Sequence, residues 1–234
     1  MHWFYDPNLT SESNSLPESE ALHALKSLRV LAGEKIAITN GKGKVIRAQV
    51  EHASKTALDY KLLSEENIER NSPEIVLIQA LAKGDRDELA LQACVELGLS
   101  AALPWPSERS VVKWSGDKIT KGLARWQQIS IEAMKQSQQP FLCLVTEVFK
   151  AETALPGRTL VLDPTSPNSL SELETANTPR INLIVGPEGG ISPVELELFE
   201  SLGYERVRLG AAVMRTSTAG PAAISAIRTL LNNW

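Results

Sequence analysis

Cysteine is almost absent from this 234-residue chain: Cys94 and Cys143 are the only two. Two cysteines so far apart build neither a disulfide framework nor a zinc knuckle, which argues against a secreted, stapled scaffold and a structural metal. Histidine is nearly as scarce. His2, His23 and His52 all fall in the N-terminal part, and none pairs at helical spacing with another ligand, so no metal site is expected. No apolar run approaches the ~20 residues of a membrane span, and the longest, Ile75–Ala82, is the size of a strand. No membrane association is expected. The opening MHWFYDPNL has no cationic start followed by an apolar stretch, so no signal peptide is visible and a cytoplasmic location is expected. Also missing are G-x-G-x-x-G, Walker A, H-E-x-x-H and G-x-S-x-G. Hydride transfer, NTP hydrolysis and serine-hydrolase chemistry thereby lose most of their support.

What is present is ordinary for a globular protein: 43% hydrophobic and 22% charged residues, enough for one large or two modest domains. A net charge of −4 argues against a generic nucleic-acid binder. The charge is segregated, however. Lys26, Arg29, Lys35, Lys42, Lys44, Arg47 and Lys55 crowd one stretch, and Arg109, Lys113, Lys118, Lys121, Arg125 and Lys135 another. Glu188, Glu195, Glu197, Glu200 and Glu205 lie apart from both. Two readings fit: a local phosphate-binding face, or solvated surface lysines.

Residues 1–72 read as a mostly β domain. Lys35–Thr39 and Val45–Val50 are β-rich and are joined by Asn40-Gly41-Lys42-Gly43, where Asn-Gly suits the positive φ of a tight hairpin. Glu18–Leu31 has helical spacing, with Leu22, Leu25 and Leu28 on one side. Polar Glu65–Pro73 marks a boundary. From residue 73 to 234 strands alternate with helices, which implies a parallel sheet covered on both sides. The expected strands are Ile75–Ala82, Leu142–Val148, Thr159–Leu162, Ile181–Val185 and Arg206–Leu209. One helix follows Asp85, taken as an N-cap with Glu88 completing the box. It turns Leu89, Ala93 and Leu97 to one face and stops at Gly98. Further helices are expected at Ile119–Gln138, Pro193–Leu202 and Pro221–Leu231, the last with proline in its first turn.

In open α/β sheets, ligands bind beyond the carboxyl ends of the strands. Two loops there are rich in glycine and small residues: Gly186-Pro187-Glu188-Gly189-Gly190 and the stretch from Leu209 to Gly220. Each is compatible with a tight turn or a ligand site. Arg215, among small and hydroxyl neighbours, suits either a fork that grips an anionic or carbonyl group or a clamp on loop carbonyls.

The segments LIVGPEGGIS (Leu183–Ser192) and LGAAVMRTSTA (Leu209–Ala219) resemble the two signature loops of the SPOUT methyltransferases. More closely, the chain is similar to the small-subunit (16S) ribosomal RNA uridine N3-methyltransferase family, RsmE. The likeness continues through KGDRDELAL (Lys83–Leu91), ELG (Glu96–Gly98), ERSVV (Glu108–Val112), Arg125-Trp126-Gln127 and EAMKQS (Glu132–Ser137). In His23–Gly33 and Asn40–Gly43 it reaches the family's N-terminal PUA-like barrel.

The resemblance implies an α/β SPOUT-type parallel sheet with a trefoil knot, an exception to the rule that chains do not thread. It also implies a small PUA-like β-barrel domain before the sheet. S-adenosylmethionine is the implied cofactor, S-adenosylhomocysteine the product, and 16S rRNA in the small ribosomal subunit the partner of a homodimer. Carried over by position, the cofactor residues are Leu162, Gly186, Glu188, Gly189, Leu209, Gly210, Ala212, Val213 and Met214. Arg215 matches the arginine of an R-T-E-T-A motif and is the catalytic candidate. Arg29, Lys42, Lys44, Arg47, Lys83, Arg86 and Arg109 are the implied RNA contacts. The chain departs from the pattern at Ser217, where the family has glutamate, and at Gln138-Gln139, where relatives often carry glycine and arginine. Two other readings stay open: a SPOUT enzyme acting on another RNA position, and a ribosome-assembly protein that binds RNA without turnover.

Overall fold

The computed structural model describes residues 1–172 and 178–232. The chain divides into two compact units, one built from Met1–Arg70 with Met134–Leu142, the other from Asn71–Ala133 and the chain from Cys143 onward.

The first unit holds β1 (His2–Tyr5), α1 (Glu18–His23), β2 (Lys35–Thr39), β3 (Lys44–Ala53) and β4 (Leu58–Asn67). The strands lie in that order in one sheet, β1 parallel to β2 and the rest antiparallel. Along β3, Ile46, Ala48 and Val50 are buried while Arg47, Gln49 and Glu51 face water, the alternation of a sheet with one wet face. The inward side chains join Phe4, Ile36, Ile38, Leu58 and Tyr60 in one core.

Between β2 and β3 the positive φ angles fall on Gly41 (69°) and Gly43 (100°), not on Asn40. Asn40 instead accepts hydrogen bonds at Oδ1 from the backbone N–H groups of Lys42 (2.8 Å) and Lys44 (3.1 Å). At Gly43 a Cβ would sit 2.4 Å from the Ile68 carbonyl oxygen, so no other residue fits. The segment Met134–Leu142 completes the unit. Gly43 N–H donates to the Pro140 carbonyl and Leu142 N–H to that of Gly41, Lys135 pairs with Glu20 at 2.9 Å, and Arg70 lies 4.6 Å over the Phe141 ring.

The helix expected over Glu18–Leu31 passes into a π-helical turn at Ala24 and ends at Leu28, because Arg29 takes a left-handed conformation. The wider turn buries Ala21 and Ala24 and leaves Leu25 and Leu28 only half-buried. The boundary expected at Glu65 begins later, since Glu65–Asn67 still pair with β3. Ion pairs of Lys44 with Glu65 (3.1 Å) and Arg47 with Glu66 (3.3 Å) support that polar strand end.

The second unit is a six-stranded, wholly parallel sheet of order β10-β8-β9-β5-β6-β7. The strands are β5 (Glu74–Ala80), β6 (Ala101–Trp105), β7 (Leu144–Val145), β8 (Arg158–Leu162), β9 (Arg180–Val185) and β10 (Glu205–Val207). The helices are α2 (Arg86–Glu96), α3 (Asp117–Gln136), α4 (Pro193–Ser201) and α5 (Thr216–Leu230). Ile75–Ala80 is buried throughout, as a central parallel strand requires.

Asp85 is left-handed (φ 58°) and caps nothing with its side chain. The buried Asp87 carboxylate does that work, accepting from Ala82 N–H (3.3 Å) and Glu88 N–H (3.0 Å). Its burial raises its pKa above the ordinary carboxylate value. Packing on α5 turns Ala90, Leu91, Cys94 and Val95 inward and leaves Leu89 58% exposed, so the expected Leu89–Ala93–Leu97 face is not the core face. Helix α5 starts at Thr216, five residues before the expected Pro221, and the proline sits inside it at the cost of one bond to the Ser217 carbonyl. The strand expected over Leu142–Val148 shrinks to Leu144–Val145, because Leu142 is held in the first unit.

Candidate active site and its cleft

Strands β10, β8 and β9 are neighbours, so the loops leaving their carboxyl ends converge. They enclose a cleft of about 630 Å³. All the expected cofactor residues line it except Gly189: Leu162 at the end of β8, Gly186 and Glu188 after β9, and Leu209, Gly210, Ala212, Val213 and Met214 after β10. Gly189 instead turns its carbonyl to Arg109, which donates from Nη1 at 3.1 Å. Arg109, expected to touch RNA, is therefore part of the cleft wall.

The loops are built for close approach. A Cβ at Gly186 would collide with Ile191 Cγ1 at 2.7 Å, so the tight return of that loop needs glycine. A Cβ at Gly210 would meet nothing within 4 Å, so the backbone there borders open space. The β9 loop ends in a full capping box on α4. Ser192 Oγ accepts from Glu195 N–H, and Glu195 Oε2 accepts from Ser192 N–H. The other Glu195 oxygen accepts from Glu108 N–H at 2.7 Å, which ties the β6 loop to the β9 loop.

Two carboxylates border the cleft. Asp163 is buried, which alone would raise its pKa. Hydrogen bonds from Thr165 N–H and Oγ1 (both 2.9 Å) and from Arg206 Nε (2.8 Å) outweigh that and hold it below the ordinary value. With its lone pairs so engaged, Asp163 is a poor proton acceptor and a good fixed negative charge. Glu188 pairs with Arg86 at 3.0 Å, so one expected cofactor residue and one expected RNA contact are bound to each other.

Arg215 is the N-cap residue of α5 and lines the cleft. It is exposed, and its guanidinium makes no hydrogen bond or ion pair among the described residues. Thr216, the first helical residue, donates from Oγ1 to the Gly186 carbonyl at 2.9 Å and so joins the two glycine-rich loops. Asp163, Thr165, Thr216 and Glu195 were not singled out from the sequence. The Asp163-Pro164-Thr165 run after a strand carries an Asx-turn signal that would have pointed to the first two.

The remaining RNA candidates divide between the units. Arg29 and Lys42 are exposed on the first, without side-chain partners among the described residues, whereas Lys44 and Arg47 are held by glutamates. Lys83 is exposed in the loop after β5. Among the described residues no cluster of three His, Cys, Asp or Glu side chains offers a metal site, and no helix is long and apolar enough to cross a membrane.

Residues 69–228 match a family described as RNA methyltransferase domain, and residues 16–63 one described as RNA methyltransferase PUA domain. A ribosomal RNA small subunit methyltransferase E from Mycobacterium bovis is 33% identical over 92% of this chain and 86% of its own length. The chain belongs to the ribosomal RNA small subunit methyltransferase E family. A solved member of the methyltransferase E family from Neisseria gonorrhoeae, bound to S-adenosyl methionine, superposes with a TM-score of 0.89 at 33% identity over 98% of both chains. A Legionella pneumophila methyltransferase in complex with the cofactor SAM gives 0.90 at 27% identity over 97% of both. The α/β class, the parallel sheet and the PUA-like amino-terminal domain are thus those of the methyltransferase E family, as the sequence resemblance implied.

Proposed function

We propose that this protein transfers the methyl group of S-adenosylmethionine to 16S ribosomal RNA in the small ribosomal subunit, at N3 of one uridine. The observation that carries the reading is the cleft: eight residues matched by family position, from three separate loops, line one cavity. Its character fits the cofactor. The wall is largely apolar and small-chained, backbone lies bare at Gly210, and Asp163, held ionised, supplies negative charge of the kind that a sulfonium or an ammonium group calls for.

S-adenosylmethionine, when bound, supplies an electrophilic methyl group. The chain's part is positioning and electrostatics. Leu209, Gly210, Ala212, Val213 and Met214 hold the adenine end through backbone and apolar contacts. Gly186 and Glu188 close the other side. Arg215, with no side-chain partner among the described residues, is free to fork onto the uracil carbonyl oxygens and stabilise the negative charge that builds there as the N3 proton leaves. Arg29, Lys42 and Lys83, unpaired among the described residues, offer positive charge to the RNA backbone.

Residues 1–72 are proposed as the RNA-holding domain and 73–234 as the catalytic one. The path from Arg208, paired beside Asn168–Leu170, to Thr216, bonded to Gly186, supports reading the carboxyl-terminal segment as the knotted one. Val213 and Met214, 78% and 42% exposed beside the cleft, favour a homodimer that covers them. The enzyme would act in the cytoplasm, where small subunits are made. Incubating purified small subunits with the protein and labelled cofactor, then analysing 16S nucleosides by mass spectrometry, tests this. 3-Methyluridine is the expected product, and cofactor binding without any nucleoside change would overturn the reading.

A further inference from the structure

Deep under the cleft lies a short polar chain that the cofactor and RNA contacts do not use. Gln79, fully buried in β5, stands beside Val185 of β9, the residue before Gly186. Its Nε2 donates to Thr216 Oγ1 at 2.8 Å and to the Ala80 carbonyl at 3.1 Å. Thr216 Oγ1 in turn donates to the Gly186 carbonyl at 2.9 Å. The direction of the relay is fixed by proton supply. A carbonyl has no hydrogen to give and a hydroxyl has one, so Thr216 must donate to Gly186 and the amide must donate to Thr216.

Gln79 holds this place at a cost to the fold. Its Oε1 is buried with no hydrogen-bond partner among the described residues, in a strand whose neighbouring residues are apolar. Methionine, of similar length, would fill the space without stranding an acceptor. A local rule broken in the sheet directly beneath a cleft marks a residue kept for the site rather than for stability.

We propose that Gln79 and Thr216 are positioning residues, which set the Gly186 carbonyl and the first turn of α5 in one fixed relation. The consequence falls on Arg215. With no side-chain partner of its own, its aim is set by the backbone at its junction with Thr216. The relay thereby holds the cofactor loop and the arginine in register. This rests on the cleft being the cofactor site.

The test measures cofactor affinity by calorimetry and single-turnover methylation of small subunits at saturating S-adenosylmethionine. Thr216→Val keeps the shape and removes both hydrogen bonds, and should weaken affinity and slow transfer, each by about tenfold or more. Thr216→Ser should recover most of both. Gln79→Met should melt no lower than the wild type yet transfer more slowly, a combination that a purely structural role would not produce. A folded Thr216→Val with wild-type affinity and rate overturns the relay, as does a Gln79→Met whose only change is in melting temperature. Gly210→Val, whose side chain would enter the cleft, is measured alongside. Loss of binding there with a normal Thr216→Val condemns the relay alone, whereas normal binding there removes the cofactor site itself.

Discussion

Arg215 and Asp163 face the same cleft and are held in opposite ways. Arg215 is anchored only through its backbone, so its interaction is made with whatever enters. Arg215→Ala should lower single-turnover methylation by about 10²–10³ while leaving cofactor affinity nearly unchanged, because the charge it meets develops in the transition state. Arg215→Lys should recover part of the rate, since an ammonium lacks the planar fork. A near-normal rate for the alanine variant would remove the arginine from the chemistry. Asp163, by contrast, is saturated by Thr165 and Arg206. Its folded pKa lies below the unfolded one, so its ionised form stabilises the protein at neutral pH. That contribution fades as pH falls through the ordinary carboxylate range towards the lowered value. Asp163→Asn should therefore depress Tm at neutral pH and much less in acid; an equal deficit at both would contradict the assignment. Arg215 was visible in the sequence because small residues surround it, whereas Asp163 was not: its meaning comes from Arg206, which only the adjacency of β8 and β10 brings to it.

Elements with one dominant signal were legible, and those under competing signals were not. The unbroken apolar run of β5 was legible, because burial on both faces leaves a local mark. Helix α4 was legible as a helix from Pro193, although the Ser192–Glu195 box that starts it was not singled out. Strand β6 went unseen, since Pro104 interrupts its apolar run even though it pairs beside Gln79. The start of α5 was placed late because proline usually opens a helix, and nothing local says that Thr216 is bonded to a loop thirty residues earlier. The end of α3 carries a further prediction. After it Gln138 is left-handed (φ 57°), with the N–H groups of Gln138 and Gln139 closing on Lys135 and Met134. Glycine adopts that conformation freely, so Gln138→Gly should stabilise the protein by about 1 kcal/mol and raise Tm by roughly 2–4 °C. A fall in Tm would mean that the glutamine side chain does work which its backbone angle hides.

Across the whole chain, charge has to be sorted by whether it is already spent. Lys44 and Arg47 pair with the end of β4, while Lys42, two residues from Lys44, is exposed and unpaired among the described residues. Lys42→Glu should therefore weaken RNA binding and flatten its salt dependence without touching stability or cofactor affinity. Lys44→Glu should mainly lower Tm, through repulsion against Glu65. If both variants lose RNA affinity equally at unchanged Tm, the glutamate pairs do not hold in solution. The basic stretch was legible as a stretch, but which of its members are available depends on a strand pairing that no charge pattern reports.

The discontinuous make-up of the first unit also has a bearing on how the protein is made. Its hairpin and Glu20 find their partners at Pro140, Leu142 and Lys135, which are translated long after Arg70. An emerging chain therefore carries an unfinished amino-terminal unit throughout the synthesis of β5, α2, β6 and most of α3. That unit closes only when the chain doubles back, so its folding is timed by the second unit rather than by its own place at the front of the message.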